Sequence, residues 1–255
     1  MKVVRTIREL ALAGEVVGLV PTMGALHDGH VALFRTARVE NELVVASLFV
    51  NPAQFDDALD FEAYARDEAR DEEIADKAGV DVLFAPRADE MYPADFGTWV
   101  DVEGTGGEGA ARPGHFRGVA TVCLKLFNIV RPRRAYFGQK DAQQAAVIRK
   151  LVRDLNLDIE IRVHPTVRDP DGLAVSSRNI RLSDSERERA LALPRALHAA
   201  IGSRDPIAAA RAQLNGMNPD YVELIDLDGA LLLAAAVRVG STRLIDNVLL
   251  KGELT

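Results

Sequence analysis

In the stretch 18–30, GLVPTMGALHDGH, an apolar run ends on a proline and is followed by two histidines three residues apart, His27 and His30. Asp28 is a good N-cap for a helix over residues 29–39, which puts His30 in its first turn. The free N–H groups of such a turn and the positive end of the helix dipole favour an anion. Gly29 keeps a Cβ out of its path, and two imidazoles can donate to phosphate oxygens. The same residues also read as a polar helix entry with no ligand. Zinc is the weaker alternative, because a catalytic zinc wants a third protein ligand and none stands nearby.

Three further loops carry residues of the same kind. In 49-FVNPAQF-55, Asn51-Pro52 ends a strand, and Gln54 offers a donor and an acceptor to an uncharged or hydroxylated ligand; taken alone this is a turn. In 136-YFGQKDAQQ-144, Gly138 permits close backbone approach. Lys140 places a cation at a helix entry where the dipole disfavours one, Asp141 either caps the helix or accepts from a ribose hydroxyl, and Gln144 lies one turn on. In 172-GLAVSSRNIRLSDSER-187, the hydroxyls of Ser176 and Ser177 and the planar fork of Arg178 suit a polyphosphate, or else form a plain turn before a helix capped by Ser183 or Asp184. Arg112 and His115, in ARPGHFRG, add positive charge from a glycine-rich stretch, residues 103–114, that reads as a mobile loop.

The elements that must position these loops follow from hydrophobic patterning. Short apolar runs at 16–20, 43–50, 80–85, 135–137 and 159–163 alternate with helical patterns near 30–38, 61–78, 117–130 and 141–154. Near-continuous apolar strands separated by helices predict an α/β fold, a Rossmann-like doubly wound parallel sheet. Ligands in such sheets bind beyond the carboxyl ends of the strands, which is where the first three loops fall. After residue 168 the pattern changes to helices at 183–193 and 206–215 and strands at 221–227, 234–239 and 242–250. We therefore divide the chain into residues 1–168 and a smaller α+β C-terminal lid domain, residues 169–255, with an antiparallel sheet.

Composition narrows the function classes. A chain of 255 residues, 48% hydrophobic and 27% charged, can bury a sizeable core. Its one cysteine, Cys123, excludes a disulfide framework or a cysteine-rich metal site and points to a reducing, cytoplasmic compartment. The N-terminal MKVVRTIRELALAGEVVGLV, interrupted by Glu9 and Glu15, predicts neither a signal peptide nor a membrane span. A formal net charge of −7 argues against a nucleic-acid partner.

PTMGALHDGH, FVNPAQF, RPGHFRGV, YFGQKDAQQ and GLAVSSRN, in that order over most of the chain, closely resemble the pantoate–β-alanine ligases. HDGH is similar to the HxGH signature of the wider nucleotidyltransferase superfamily, and the serine-arginine segment looks like its second phosphate-binding motif. The resemblance implies an ATP-dependent reaction in which the pantoate carboxylate attacks the α-phosphate. Pantoyl adenylate and diphosphate form, and the β-alanine amine then displaces AMP to give pantothenate. It also implies a typically dimeric enzyme whose ATP is accompanied by Mg2+.

Carried over by motif, Met23, Gly24, Ala25, Leu26, His27, Asp28, Gly29 and His30 line the ATP site, with His30 as proton donor and His27 beside it on the phosphates. Gly138 and Asp141 meet the ribose, Lys140 the phosphates, with Gln139 between them. Val167 meets the adenine, and Val175, Ser176, Ser177 and Arg178 meet the phosphates again. Gln54 and Gln144 hold pantoate, Gln54 also serves β-alanine, and Asp71 is a candidate magnesium contact. The sequence departs from the family pattern at Gln139, where glutamate is usual, at Val175, where methionine is common, and at YARD, residues 64–67, in place of YPRT. Two alternatives predict other products or partners. A nucleotidyltransferase acting on a phosphorylated acceptor would release diphosphate but no AMP, and an RNA-binding relative of the synthetases would need a basic surface.

Overall fold

The computed structural model describes residues 1–10, 16–56, 58–103, 106–227 and 229–253. In its first part, strands and helices alternate as β1 (Lys2–Val4), β2 (Val17–Thr22), α1 (Asp28–Glu40), β3 (Leu43–Leu48), α2 (Ala58–Glu62), α3 (Glu68–Lys77), β4 (Val82–Phe84) and α4 (Ala88–Met91). The alternation continues through α5 (Glu108–Ala111), α6 (His115–Val130), β5 (Arg134–Gly138), α7 (Ala142–Asp154) and β6 (Glu160–His164). The six strands pair in parallel in the order β1-β4-β3-β2-β5-β6. From β2 the chain therefore builds the sheet outward to one side and, from β5, to the other.

Successive residues of one strand enter different cores, as a pleated strand requires. Leu19, Val45 and Phe84 pack with Val119, Leu126 and Ile148 of α6 and α7. Their neighbours Val20, Ala46 and Leu83 pack with Phe34 of α1 and Ala75 of α3. Helices on both faces explain why these strands read as unbroken apolar runs.

The second part comprises α8 (Asp184–Ala190), α9 (Ala192–Ala200), α10 (Pro206–Gln213), β7 (Tyr221–Leu227), β8 (Ala230–Val239) and β9 (Thr242–Lys251), the last three an antiparallel sheet. Both faces of β8 are covered. Leu233, Ala235 and Val237 meet α9 and α10, while Leu232, Ala234 and Ala236 meet Ala142 and Ala145 of α7. A polar tie crosses beside this apolar contact. Asn247 of β9 donates to the carbonyls of Gln139 at 2.7 Å and Lys140 at 3.0 Å, and Gln139 donates back to its side-chain oxygen at 3.0 Å. Arg168 grips the buried Asp246 with two bonds, at 2.7 and 3.0 Å.

Several expected boundaries move. β1 has only three residues, too short to show a period, and is fixed by pairing with β4. The helical pattern at 61–78 is two helices, because Asp67 caps α3 by accepting from Arg70 N at 3.1 Å. The pattern at 183–193 divides into α8 and the start of α9, and the strand expected at 234–239 begins at Ala230. The stretch at 103–114 is not simply a loop. Residues 104 and 105 lie outside the described ones, but α5 forms there with Glu108 buried, held by Arg243 through two bonds of 2.8 Å. No helix among the described residues is long and apolar enough to cross a membrane.

Candidate active site

β2 and β5 are the strands between which the direction of winding reverses. Their register joins Gly18 to Arg134 and Leu19 to Ala135 and goes no further, and Pro21 has no N–H with which to extend it. A cleft of about 250 Å³ opens between the carboxyl ends of the two strands and runs to β9. An open α/β sheet binds ligands at this switch point.

The loop after β2 is held from below. Thr22 donates through Oγ1 to the Ser47 carbonyl at 2.6 Å and accepts from Gly24 N at 3.3 Å. Ala25 and Leu26 donate their amides to the two carboxylate oxygens of Asp71, at 2.8 and 2.7 Å. Gly24 and Ala25 both have positive φ, 85° and 52°, so the turn is tight and leans on that carboxylate. Asp71, 2% exposed, thus has a positioning task, and among the described residues no group of three or more His, Cys, Asp or Glu is arranged to hold a metal.

His27, not Asp28, is the N-cap of α1. Its Nδ1 accepts from Gly29 N at 3.2 Å, and Nδ1 of His30 accepts from His27 N at 3.2 Å, a capping box made of two imidazoles. A nitrogen that accepts from a backbone N–H carries no proton, so both rings bear theirs on Nε2. Burial, then repulsion from Lys140, pushes the proton affinity of His27 down to about 4. Burial, then His27, then Lys140 lower that of His30 well below the usual value. Both rings are neutral donors at pH 7, 4.1 Å apart between centroids. A Cβ on residue 29 would stand 2.9 Å from Cε1 of His27, so Gly29 makes room for that ring.

Gln54 follows β3 in a 3-10 turn, Pro52–Gln54, capped by Asn51. Asn51 Nδ2 donates to Oε1 of Gln54 at 3.0 Å, which leaves the Gln54 amide nitrogen as the donor, 2.8 Å from Sδ of Met23. Tyr92 donates to Asn51 Oδ1 at 2.9 Å. Gly118 of α6 lies against the turn so closely that a Cβ there would run into the Ala53 carbonyl and stand 2.6 Å from Gln54 N. His115, at the start of α6, reaches the Gln54 carbonyl with Nδ1 at 2.7 Å.

Across the cleft, Lys140 reaches Asp141 at 3.6 Å. Asp141 precedes α7 without a side-chain cap bond, and the space where a Cβ of Gly138 would be is open. Ser176 Oγ accepts from Arg178 N at 3.2 Å, keeping its own hydrogen free to donate. Arg178 donates to Asp60 of α2 at 2.9 Å. Tyr64 reaches the loop after β2, its hydroxyl donating to the Gly24 carbonyl at 3.4 Å.

Of the expected site residues, the cleft brings together Met23, His27, Gly29, His30, Gln54 and Gly138 with Lys140, Asp141, Gln144, Val167, Val175, Ser176, Ser177 and Arg178. Gly24, Ala25, Leu26, Asp28 and Gln139 do not line it. The amides of Ala25 and Leu26 are bound by Asp71, the Leu26 side chain is 1% exposed in the core, Asp28 faces solvent, and Gln139 faces Asn247. Arg112 and His115 also line the cleft, but of the two only Arg112 carries a positive charge there. Arg112 is paired with Asp56 at 2.8 Å, and burial with the Arg112 charge lowers the proton affinity of His115. Nothing local marks Gly118 and Asn247, each of which acts on a residue brought near by folding, and Asn51, legible as a turn residue, also orients Gln54.

The chain matches the model of a family described as pantoate-beta-alanine ligase over residues 1–249. The chain belongs to this family. It is 53% identical to a pantothenate synthetase of Moorella thermoacetica, covering 92% of this chain and 91% of that protein, and 51% identical to one of Roseiflexus castenholzii, covering 98% and 100%. The crystal structure of pantothenate synthetase from Thermus thermophilus superposes with a TM-score of 0.93 at 46% identity, covering 97% and 99%. The pantoate-beta-alanine ligase of Francisella tularensis, complexed with beta-gamma ATP and beta-alanine, gives 0.86 at 34%, covering 98% and 97%. A nucleotidyltransferase-like α/β unit followed by a smaller C-terminal one is thus the architecture of the pantoate-β-alanine ligase family and of this chain.

Proposed function

We infer that the protein condenses pantoate with β-alanine, cleaving ATP to AMP and diphosphate, by way of an enzyme-bound pantoyl adenylate. One observation carries this reading. In a chain matched by the family over residues 1–249, a single cleft faces two neutral imidazole donors and Lys140 toward an amide donor at Gln54.

The pantoate carboxylate is already nucleophilic, so the first step needs charge stabilisation at the α-phosphate more than a base. His27 and His30 serve as Nε2–H donors to the phosphate oxygens, and Lys140 supplies the cation that a neutral imidazole lacks. Ser176, Ser177 and Arg178 hold the remaining phosphates, with Arg178 exchanging Asp60 for ATP. Gln54 and Gln144 hold pantoate, and Gln54 also serves β-alanine. Magnesium enters as the counter-ion of the ATP phosphates, since Asp71 spends both oxygens on the loop. The adenylate is the activated species, so no covalent enzyme intermediate is required. The reading also carries a cytoplasmic homodimer with two small-molecule substrates and no nucleic-acid or membrane partner.

Supplied with ATP, Mg2+, pantoate and β-alanine, the purified protein should form pantothenate and AMP in equal amounts by mass spectrometry. Absence of pantothenate would defeat the inference, and sedimentation of the same preparation reads its assembly.

A further inference from the structure

Between the ammonium of β-alanine and an amide nitrogen, two protons are lost, and the first must leave before attack because the ammonium has no lone pair. Four histidines line the cleft, and they differ in which nitrogen is free. His27 and His30 accept backbone hydrogens at Nδ1 and face the ligand with Nε2–H, so neither can take a proton there without first giving one up. His115 is the reverse case. Its Nδ1 lies 2.7 Å from the Gln54 carbonyl, which can only accept, so the ring proton sits on Nδ1 and Nε2 carries a lone pair. His164 has the same tautomer through the Pro165 carbonyl at 2.8 Å, but it stands half-buried at the end of β6. In the order β3-β2-β5-β6, that end lies on the far side of the switch point from Gln54.

Resting on the ligase reading above, we propose that His115 is the base of the amide-forming half-reaction, its Nε2 receiving the first proton of the β-alanine ammonium beside Gln54. The nitrogen lone pair so freed forms the C–N bond to the acyl carbon of pantoyl adenylate. The acyl C–O bond then breaks with its electron pair on the AMP phosphate, which takes the second nitrogen proton, and the imidazolium returns the first to water. His115 opens α6 and is 8% exposed; burial, then the neighbouring Arg112 charge, keep the ring unprotonated at rest, against the pull of the Gln54 carbonyl, Glu108 and Asp141. The Arg112 charge disfavours an ammonium beside the ring as well as the imidazolium, so it does not oppose transfer from one to the other.

His115→Asn places an amide where Nδ1–H was, retaining a donor for the Gln54 carbonyl while removing the Nε2 lone pair. Three rates are read in this variant: pantoate-dependent ATP–diphosphate exchange, pantothenate formation with β-alanine, and hydroxamate formation with hydroxylamine, which is a free base at neutral pH. Exchange and hydroxamate formation should stay within a fewfold of the unsubstituted enzyme, while pantothenate formation falls by on the order of 10²-fold. An unchanged β-alanine rate, an equal fall with both nucleophiles, or loss of exchange would each overturn the assignment of His115. Absence of exchange in the unsubstituted protein would instead overturn the ligase reading, and the assignment with it.

Discussion

A methyl group on residue 29 would stand 2.9 Å from Cε1 and 3.0 Å from Nδ1 of His27. The glycine of the HDGH stretch therefore serves the histidine before it. Gly29→Ala should change the melting temperature little, since the gain of alanine over glycine in a helix, about 1 kcal/mol, is offset by a similar loss as the His27 cap is displaced. It should nonetheless lower ATP–diphosphate exchange on the order of 10²-fold, the usual cost of misplacing one transition-state donor. Exchange at the normal rate would remove the His27 ring from the donor set. The spacing of the two histidines was legible in the sequence, but their tautomers were not. These depend on which nitrogen meets a backbone N–H, and residue type does not specify that.

At the scale of elements, α6 and the turn at Pro52–Gln54 meet backbone to backbone at Gly118. Neither partner is the end of a flexible side chain, so an added methyl must move the turn or the helix. Gly118→Ala should cost about 1 to 3 kcal/mol in chemical denaturation as an overpacked contact. Because the turn carries Gln54, KM for pantoate should rise at least roughly tenfold on the scale of that strain, with KM for ATP little changed. A parallel rise in both would show that the turn does not serve pantoate separately. The amphipathic pattern of α6 predicted a helix from residue 117 onward, close to the observed His115–Val130. It could not show that one small residue on the buried face sets the distance to a turn 64 positions earlier.

For the whole molecule, the second sheet is fixed against α7 by apolar residues and by a few polar ties nearby, among which Arg168 holds the buried carboxylate of Asp246. Arg168→Met should cost about 3 to 5 kcal/mol, because it strands a carboxylate that is 2% exposed. Asp246→Asn should cost less, since the amide oxygen can still accept from Asn247 N, at 2.8 Å from the present carboxylate. Equal losses in equilibrium denaturation would mean that charge is not what is stranded. Gln139, where the family usually has glutamate, belongs to the same seam. It donates to Asn247, which a carboxylate could not do.

The sequence by itself determined the alternation of strands and helices, the change of pattern near residue 168 and the loops that carry the polar residues. Hydrophobic periodicity and turn chemistry are local, written within a few residues of where they act. Tertiary structure alone decided the long-range partners of the polar groups. The amide of Ala25 meets Asp71, 46 positions on; His115 meets Gln54 across 61; Gln139 meets Asn247 across 108. No local pattern encodes such pairings, because they exist only once the strands have been ordered and the cleft at the switch point has closed around its lining.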